Sequence, residues 1–184
     1  MSGETTRVHV GPACLFKDRS RQLVKIGERN IAVYFYNKQF YAIDNACYHH
    51  GGPLLDGDIE EMGGHPCIVC PWHQYRITLD TGEGLYWALQ MTASGAVDKN
   101  AGKVIRSKGI KQRTHLVTVE DGEVYVTLST DGPAVDSDAY AGLAIANREQ
   151  AMTQPRSDAV AFSRNIHSSL RSGQVLNNSA PTKN

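Results

Sequence analysis

The segment Cys47-Tyr48-His49-His50-Gly51-Gly52-Pro53-Leu54, with twenty residues between His49 and the following Cys70-Pro71-Trp72-His73, governs the reading of this chain. Each half offers one soft thiolate and one imidazole. Two cysteines and two histidines can complete tetrahedral zinc, or they can hold [2Fe–2S] with both thiolates on one iron and both imidazoles on the other. A thiolate and an imidazole one residue apart on a short loop suit two neighbouring metals. Structural zinc usually draws paired Cys-x2–4-Cys and His-x3–5-His ligands. Cys67-Ile68-Val69-Cys70 is itself a Cys-x2-Cys, so zinc on Cys47, Cys67, Cys70 and His73 stays open as a distant alternative. Against it, residues 66–69 read as a strand that buries Cys67 as a small apolar side chain.

Outward from these loops the chain reads as strands. Residues 7–10 and 22–26 are short candidates. Residues 31–36, Ile-Ala-Val-Tyr-Phe-Tyr, are mostly β-branched and aromatic, as a strand buried on one or both faces should be. Asn37-Lys38 turns the chain back into 39–43, so a hairpin delivers it to Cys47. Residues 47–64 are loop-like, with a short strand at 58–60. Residues 66–69 lead into Cys70, and 75–79 alternate down to the turn Asp80-Thr81-Gly82. Residues 88–109 show neither period and read as an exposed loop. Residues 115–119 and 124–128 flank Asp121-Gly122, the clearest hairpin in the sequence. The expectation is one all-β domain over 6–130. A polar tail follows over 131–184, with a helix candidate at 139–152 weakened by Gly142 and the remainder disordered.

Nineteen basic and nineteen acidic side chains cancel, which gives no global reason to expect nucleic acid or a membrane. No apolar run approaches the ~18 residues of a membrane span. The first residues lack an apolar signal core, so the cytoplasm is the expected location and a monomer the expected state. In a reducing compartment the four cysteines, Cys14, Cys47, Cys67 and Cys70, read as thiols or metal ligands rather than disulfides. The sequon Asn177-Asn178-Ser179 reads as chance.

Cys47-x-His49-x-Gly51-Gly52-Pro53-Leu54 and Cys70-Pro71-Trp72-His73 resemble the two cluster-binding loops of Rieske ferredoxins and of the Rieske domains of ring-hydroxylating oxygenases. Longer segments are similar to the small soluble Rieske domain-containing proteins of animals: residues 47–54, 66–73, 77–86 and Ser-Lys-Gly-Ile-Lys-Gln-Arg at 107–113. The resemblance spans residues 7–130 and touches 136–141. It implies one [2Fe–2S] cluster per chain, with Cys47 and Cys70 on the inner iron and His49 and His73 on the outer, solvent-facing one. It also implies a Rieske fold of small antiparallel sheets with a cluster-binding subdomain formed by the two loops.

The residues around these four have expected tasks. Gly51 and Gly52 let backbone amides approach cluster sulfurs, Pro53 and Pro71 stiffen the loops, and Trp72 shields the cluster from water. His50 adjoins a ligand and reads as an exposed loop residue. Respiratory-complex Rieske proteins carry an extra cysteine in each loop, joined as a disulfide; Gly52 and Trp72 hold those positions here. Those proteins also place hydroxyl donors where this chain has Tyr75 and Ile77. Fewer hydrogen bonds to sulfur leave the reduced cluster less stabilised, so the potential should lie low, around −150 mV.

His9, His65, His115 and His167 have no partner at metal spacing and read as structural or surface residues. Lys99, Lys103, Arg106, Lys108, Lys111 and Arg113 form an acid-free basic stretch that reads as a solvated loop, with a docking patch for an acidic redox partner as the alternative. Two function classes follow. One is a low-potential electron carrier that accepts from a reductase and passes to an oxygenase or similar acceptor; the other is a redox- or iron-sensing module in which the cluster is structural or regulatory. A self-contained oxygenase would need a second iron site on two histidines and a carboxylate, and beyond Thr130 the sequence offers one histidine. No flavin or nicotinamide fingerprint is present, so the chain reads as a carrier rather than an enzyme.

Overall fold

The computed structural model of the protein describes residues 6–98 and 100–143. Eleven strands, every pairing antiparallel, make two sheets, and the described residues contain no α-helix. No described helix is long and apolar enough to cross a membrane. The strands are β1 (Arg7–Pro12), β2 (Ser20–Ile26), β3 (Arg29–Tyr36), β4 (Gln39–Asp44), β5 (Asp58–Met62), β6 (His65–Val69), β7 (Arg76–Thr78), β8 (Glu83–Leu89), β9 (Lys103–Ile110), β10 (Thr114–Glu120) and β11 (Glu123–Thr127). The first sheet runs β1-β11-β10-β4-β3-β2, and the second β5-β6-β7-β8-β9.

The unbroken apolar run of β3 has a direct cause: the strand is buried on both faces. Alternation sends Ile31 and Val33 into a core with Ile26, Ala42 and Val126. It sends Ala32 and Tyr34 into a second core with Leu54, Ile68 and Ile77, and with Cys47 and Cys70. The cysteine pair is therefore the outer end of a hydrophobic core that starts in the first sheet. Asn37 (φ 49°) and Lys38 (φ 63°) make the β3–β4 turn, and Asp121 (φ 50°) with Gly122 (φ 81°) the β10–β11 turn. Positive φ at both central residues matches the right-handed twist of the strands they join.

Of the expected loop at 88–109, residues 88–89 and 103–109 are strand, and 90–102 connect them. β8 and β9 form a hairpin at the edge of the second sheet, with Tyr86 opposite Arg106 and Trp87 opposite Ile105. Most of β9 is exposed, so its side chains carry no inward-outward alternation for a sequence reading to detect. Past residue 130 the chain still packs. Asp136–Tyr140 is a 3-10 helix whose Ser137 is fully buried and whose Asp138 meets two arginines. Of the helix candidate at 139–152, residues 139 and 140 belong to this 3-10 helix, and 144–152 lie outside the described residues, as do His167 and the sequon.

Candidate metal centre

Both loops close in the same way. Cys47 N–H donates to Gly52 O (2.9 Å) and Gly51 N–H to Cys47 O (2.7 Å); Cys70 N–H donates to Tyr75 O (2.8 Å) and Gln74 N–H to Cys70 O (2.9 Å). The residue four after each cysteine takes a left-handed backbone, Gly51 at φ 71° and Gln74 at φ 59°. This tight curl aims amides at each sulfur. The N–H groups of His49 and His50 point to the Cys47 thiol, and those of Trp72 and His73 to the Cys70 thiol.

The two loops bring their cysteines together. The nearness of Cys70 pushes the Cys47 thiol well up from the ordinary range, burial adding to the effect. Cys70 is drawn down to about 7, first by its hydrogen bond with Cys47, against its burial, and then by the two amides. One of the pair is thus poised as a thiolate, the form that ligates metal. The imidazoles of His49 and His73 also meet, ring centroids 4.8 Å apart at 90°. His50 is exposed, its ring tilted 59° against His49 at 4.1 Å.

His49 Nδ1 is buried and has no hydrogen-bond partner. A buried ring nitrogen left this way is costly unless something binds it. Burial, then the nearby charges of His50, His73 and Lys108, hold the His49 imidazole below its ordinary pKa, and so in the neutral form that binds metal. Among the described residues no three Cys, His, Asp or Glu side chains converge on one ion position. The four stand as a thiol pair and an imidazole pair, and this donor set suits a two-iron group better than single zinc.

Gly52 and Trp72 touch. A Cβ on Gly52 would stand 2.9 Å from Cys70 Sγ and 3.1 Å from Trp72 Cδ2, so only glycine lets the loops meet here. The indole occupies the place where a bridge between these two positions would run. Tyr75 stacks on His49, centroids 4.3 Å apart and 26° from parallel, so its ring packs on the imidazole. Ile77 is fully buried in the core that holds both cysteines, and it offers no donor. Cys67 lies on the strand neighbour of Ile68, and alternation turns it from the face that carries Ile68, Cys47 and Cys70. Its thiol donates to His65 O at 3.5 Å, and burial raises it to about 12. His9 pairs with Glu123 and His65 with Asp80, both at 2.6 Å, away from the centre.

Sequence reasoning missed the residues that hold the first loop. Gln112 is fully buried; its Nε2 donates to Asp44 O (2.8 Å) and Ala46 O (2.9 Å), and its Oε1 accepts from Tyr48 N–H (3.0 Å). Asp44, also fully buried, accepts from Arg29 (2.7 Å), His115 Nε2 (3.2 Å) and Ser137 Oγ (3.2 Å). Ser129 N–H donates to His115 Nδ1 at 3.2 Å, which leaves Nε2 to carry the proton toward Asp44. Asp138 accepts from Arg29 (2.8 Å) and Arg113 Nε (2.6 Å), and is held well below the carboxylate range by Arg113 first. A glutamine between a lysine and an arginine reads as surface, so nothing local marks Gln112. Residues 107–113 carried only the likeness to known proteins.

The sequence profile of the soluble Rieske-type ferredoxins matches residues 8–131. The chain belongs to that family. A human Rieske domain-containing protein is 46% identical over 138 residues, covering 75% of this chain and 85% of the human one. The ferredoxin subunit of a 3-phenylpropionate/cinnamic acid dioxygenase from Photorhabdus laumondii is 26% identical over 102 residues, covering 55% of this chain and 76% of that subunit. Among solved structures, a Mycobacterium tuberculosis chain assigned as the small subunit of an NADH-dependent nitrite reductase shares the fold. Its TM-score is 0.51 at 12% identity, and the match covers 69% of this chain and 98% of that one. The Rieske-type ferredoxin fold accounts for both sheets and for the two loops that meet above them.

Proposed function

We propose that this protein is a one-electron carrier whose Cys47 and Cys70 hold one iron of a [2Fe–2S] cluster and whose His49 and His73 hold the other. One observation carries the reading: two loops with the same hydrogen-bonded curl bring a thiol pair beside an imidazole pair, with a buried, unpartnered Nδ1 on His49. The cluster supplies the site that gains and loses one electron; the chain tunes and exposes it. Amides of His49, His50, Trp72 and His73 point at the cysteine sulfurs and favour the more negative, reduced state. Ile77 adds no hydroxyl and Tyr75 is stacked on His49, so no further side-chain donor is offered at those two positions, and the potential belongs at the low end of the Rieske range. Exposed His73 and His50 give the electron its way out. Relatives described as dioxygenase ferredoxin components favour a reductase as donor and an oxygenase or similar protein as acceptor.

Metal analysis with visible and electron paramagnetic resonance spectroscopy tests this. The protein should be red-brown, with two irons and two labile sulfides per chain; stoichiometric zinc without visible absorption overturns the reading. At pH 7 the potential should fall below zero, around −150 mV, and Tyr75→Ser with Ile77→Tyr should raise it. A value well above +100 mV, in the upper part of the Rieske range, overturns the tuning argument.

A further inference from the structure

The β8–β9 hairpin carries a strip of cations and aromatic rings that starts at the metal centre. Tyr75 stacks on His49, and Lys108 Nζ stands 4.2 Å from the centroid of the Tyr75 ring. The same Nζ is 5.8 Å from the Tyr86 ring, and Tyr86 lies opposite Arg106 across the hairpin. Along β9 the sequence Lys103-Val-Ile-Arg106-Ser-Lys108-Gly-Ile110 contains no acid. Lys103, Arg106 and Lys108 have no acidic partner among the described residues, whereas Arg7, Arg29, Arg76, Lys111 and Arg113 each have one.

Protection of an open sheet edge accounts for lysines on β9. It does not account for the aromatic rings beside them. By the β8–β9 register Tyr86 (42% exposed) shares a face with Arg106 and Lys108, whereas Trp87 (51%) and Leu89 (55%), opposite Ile105 and Lys103, point to the other face. Aromatic rings beside unpaired cations mark an interaction surface. Glu83, which accepts from Ser107 Oγ, is the one acid of the two strands, against Lys103, Arg106 and Lys108.

We infer that the β8–β9 strip, from Tyr75 and Lys108 to Tyr86 and Arg106, is the docking face for a redox protein that presents carboxylates around an apolar centre. The strip begins one ring from His49, so a partner seated on it meets the end of the molecule where electrons leave. This rests on the carrier reading above. The cations steer the encounter, and Tyr75 and Tyr86 supply contact area once water is excluded.

The test uses the cluster-loaded protein, reduced and mixed in stopped flow with hexacyanoferrate(III), a trianion, or tris(phenanthroline)cobalt(III), a trication. In each reaction the cluster loses one electron and the complex gains it. The rate with the anion should fall as salt is added, and the rate with the cation should not. Arg106→Glu with Lys108→Glu, checked for unchanged iron content and visible spectrum, should slow the anion at low salt by on the order of 10-fold and reverse the salt dependence. Should that pair fail to load, Arg106→Gln with Lys108→Gln should give a smaller loss in the same direction. Lys25→Glu, exposed on β2 of the other sheet, should change little. Poly-L-glutamate at low salt should protect β9 amides from hydrogen exchange in the wild type and not in the charge-reversed variant. Equal salt response to both oxidants in wild type and variant, or protection centred on another strand, overturns the docking face. A protein that reduces neither complex overturns the carrier reading instead.

Discussion

The loop over residues 45–54 and the loop over residues 70–75 share one backbone curl and differ in what surrounds it. In the first, Asn45, Ala46, Cys47, Tyr48, Gly51, Gly52, Pro53 and Leu54 are buried, and Gln112 and Asp44 tie its start to strands far away in sequence. In the second, Pro71, His73 and Gln74 are exposed, and the closing hydrogen bonds lie within the loop itself. One half of the centre is therefore fixed by the body of the protein, while the other is a self-closed turn on the β6–β7 hairpin, facing solvent. The same pairing of thiol and imidazole sits on an anchored side and a presented side, which suits the electron carrier proposed above: a rigid seat and an accessible edge.

The largest break of this symmetry is at the sulfurs. Cys47→Ser and Cys70→Ser should each abolish the visible spectrum, since both loops are needed for one iron. Cys67→Ser should keep it, because that thiol faces the other side of β6. Bleaching by Cys67→Ser alone would hand the site to the zinc-type ligand set.

Next is the anchor of the first loop. Asp138→Ala leaves Arg113 and Arg29 without a carboxylate they share, and should lower stability by about 3–5 kcal/mol, the usual cost of breaking such a pair. Ending the chain at residue 130 should do the same, which denaturant melts of both variants would show. The sign with pH follows from the depressed pKa of Asp138. Its contribution is complete above the unfolded carboxyl value of about 3.9 and is lost as pH falls through the folded value. The difference between wild type and Asp138→Asn should therefore shrink below about pH 4.

Gln112→Ala should cost about 1–3 kcal/mol, because Tyr48 N–H and two carbonyls lose a buried partner. Iron should also leave this variant faster than wild type when a chelator is added. The smallest effect is expected in the presented loop. Gln74→Gly relieves a left-handed glutamine but loosens the unfolded chain, so stability should change by under about 1 kcal/mol. If Gln74→Gly proved as costly as Gln112→Ala, the anchored-versus-presented contrast would fail.

The sequence alone determined the strands of the first sheet, the two hairpins at Asn37-Lys38 and Asp121-Gly122, and the Cys-x-His and Cys-x2-His motifs. Each of these is local. Turn residues with positive φ, β-branched runs and a thiolate near an imidazole are written within a few residues of one another. The tertiary structure decided the rest, since those features depend on partners outside the local stretch, 66 residues apart for Gln112 and Ala46 and 25 for Arg113 and Asp138. Gln112, Arg113 and Asp138 look solvated in sequence, and burial together is what makes them structural. β9 reads as a loop because an exposed edge strand has no inward face to set a period of two, and pairing with β8 gives it its shape. Contact across space, not composition, also set the Lys108–Tyr75–His49 stack, because a cation near an aromatic ring is a fact of packing that residue order does not record.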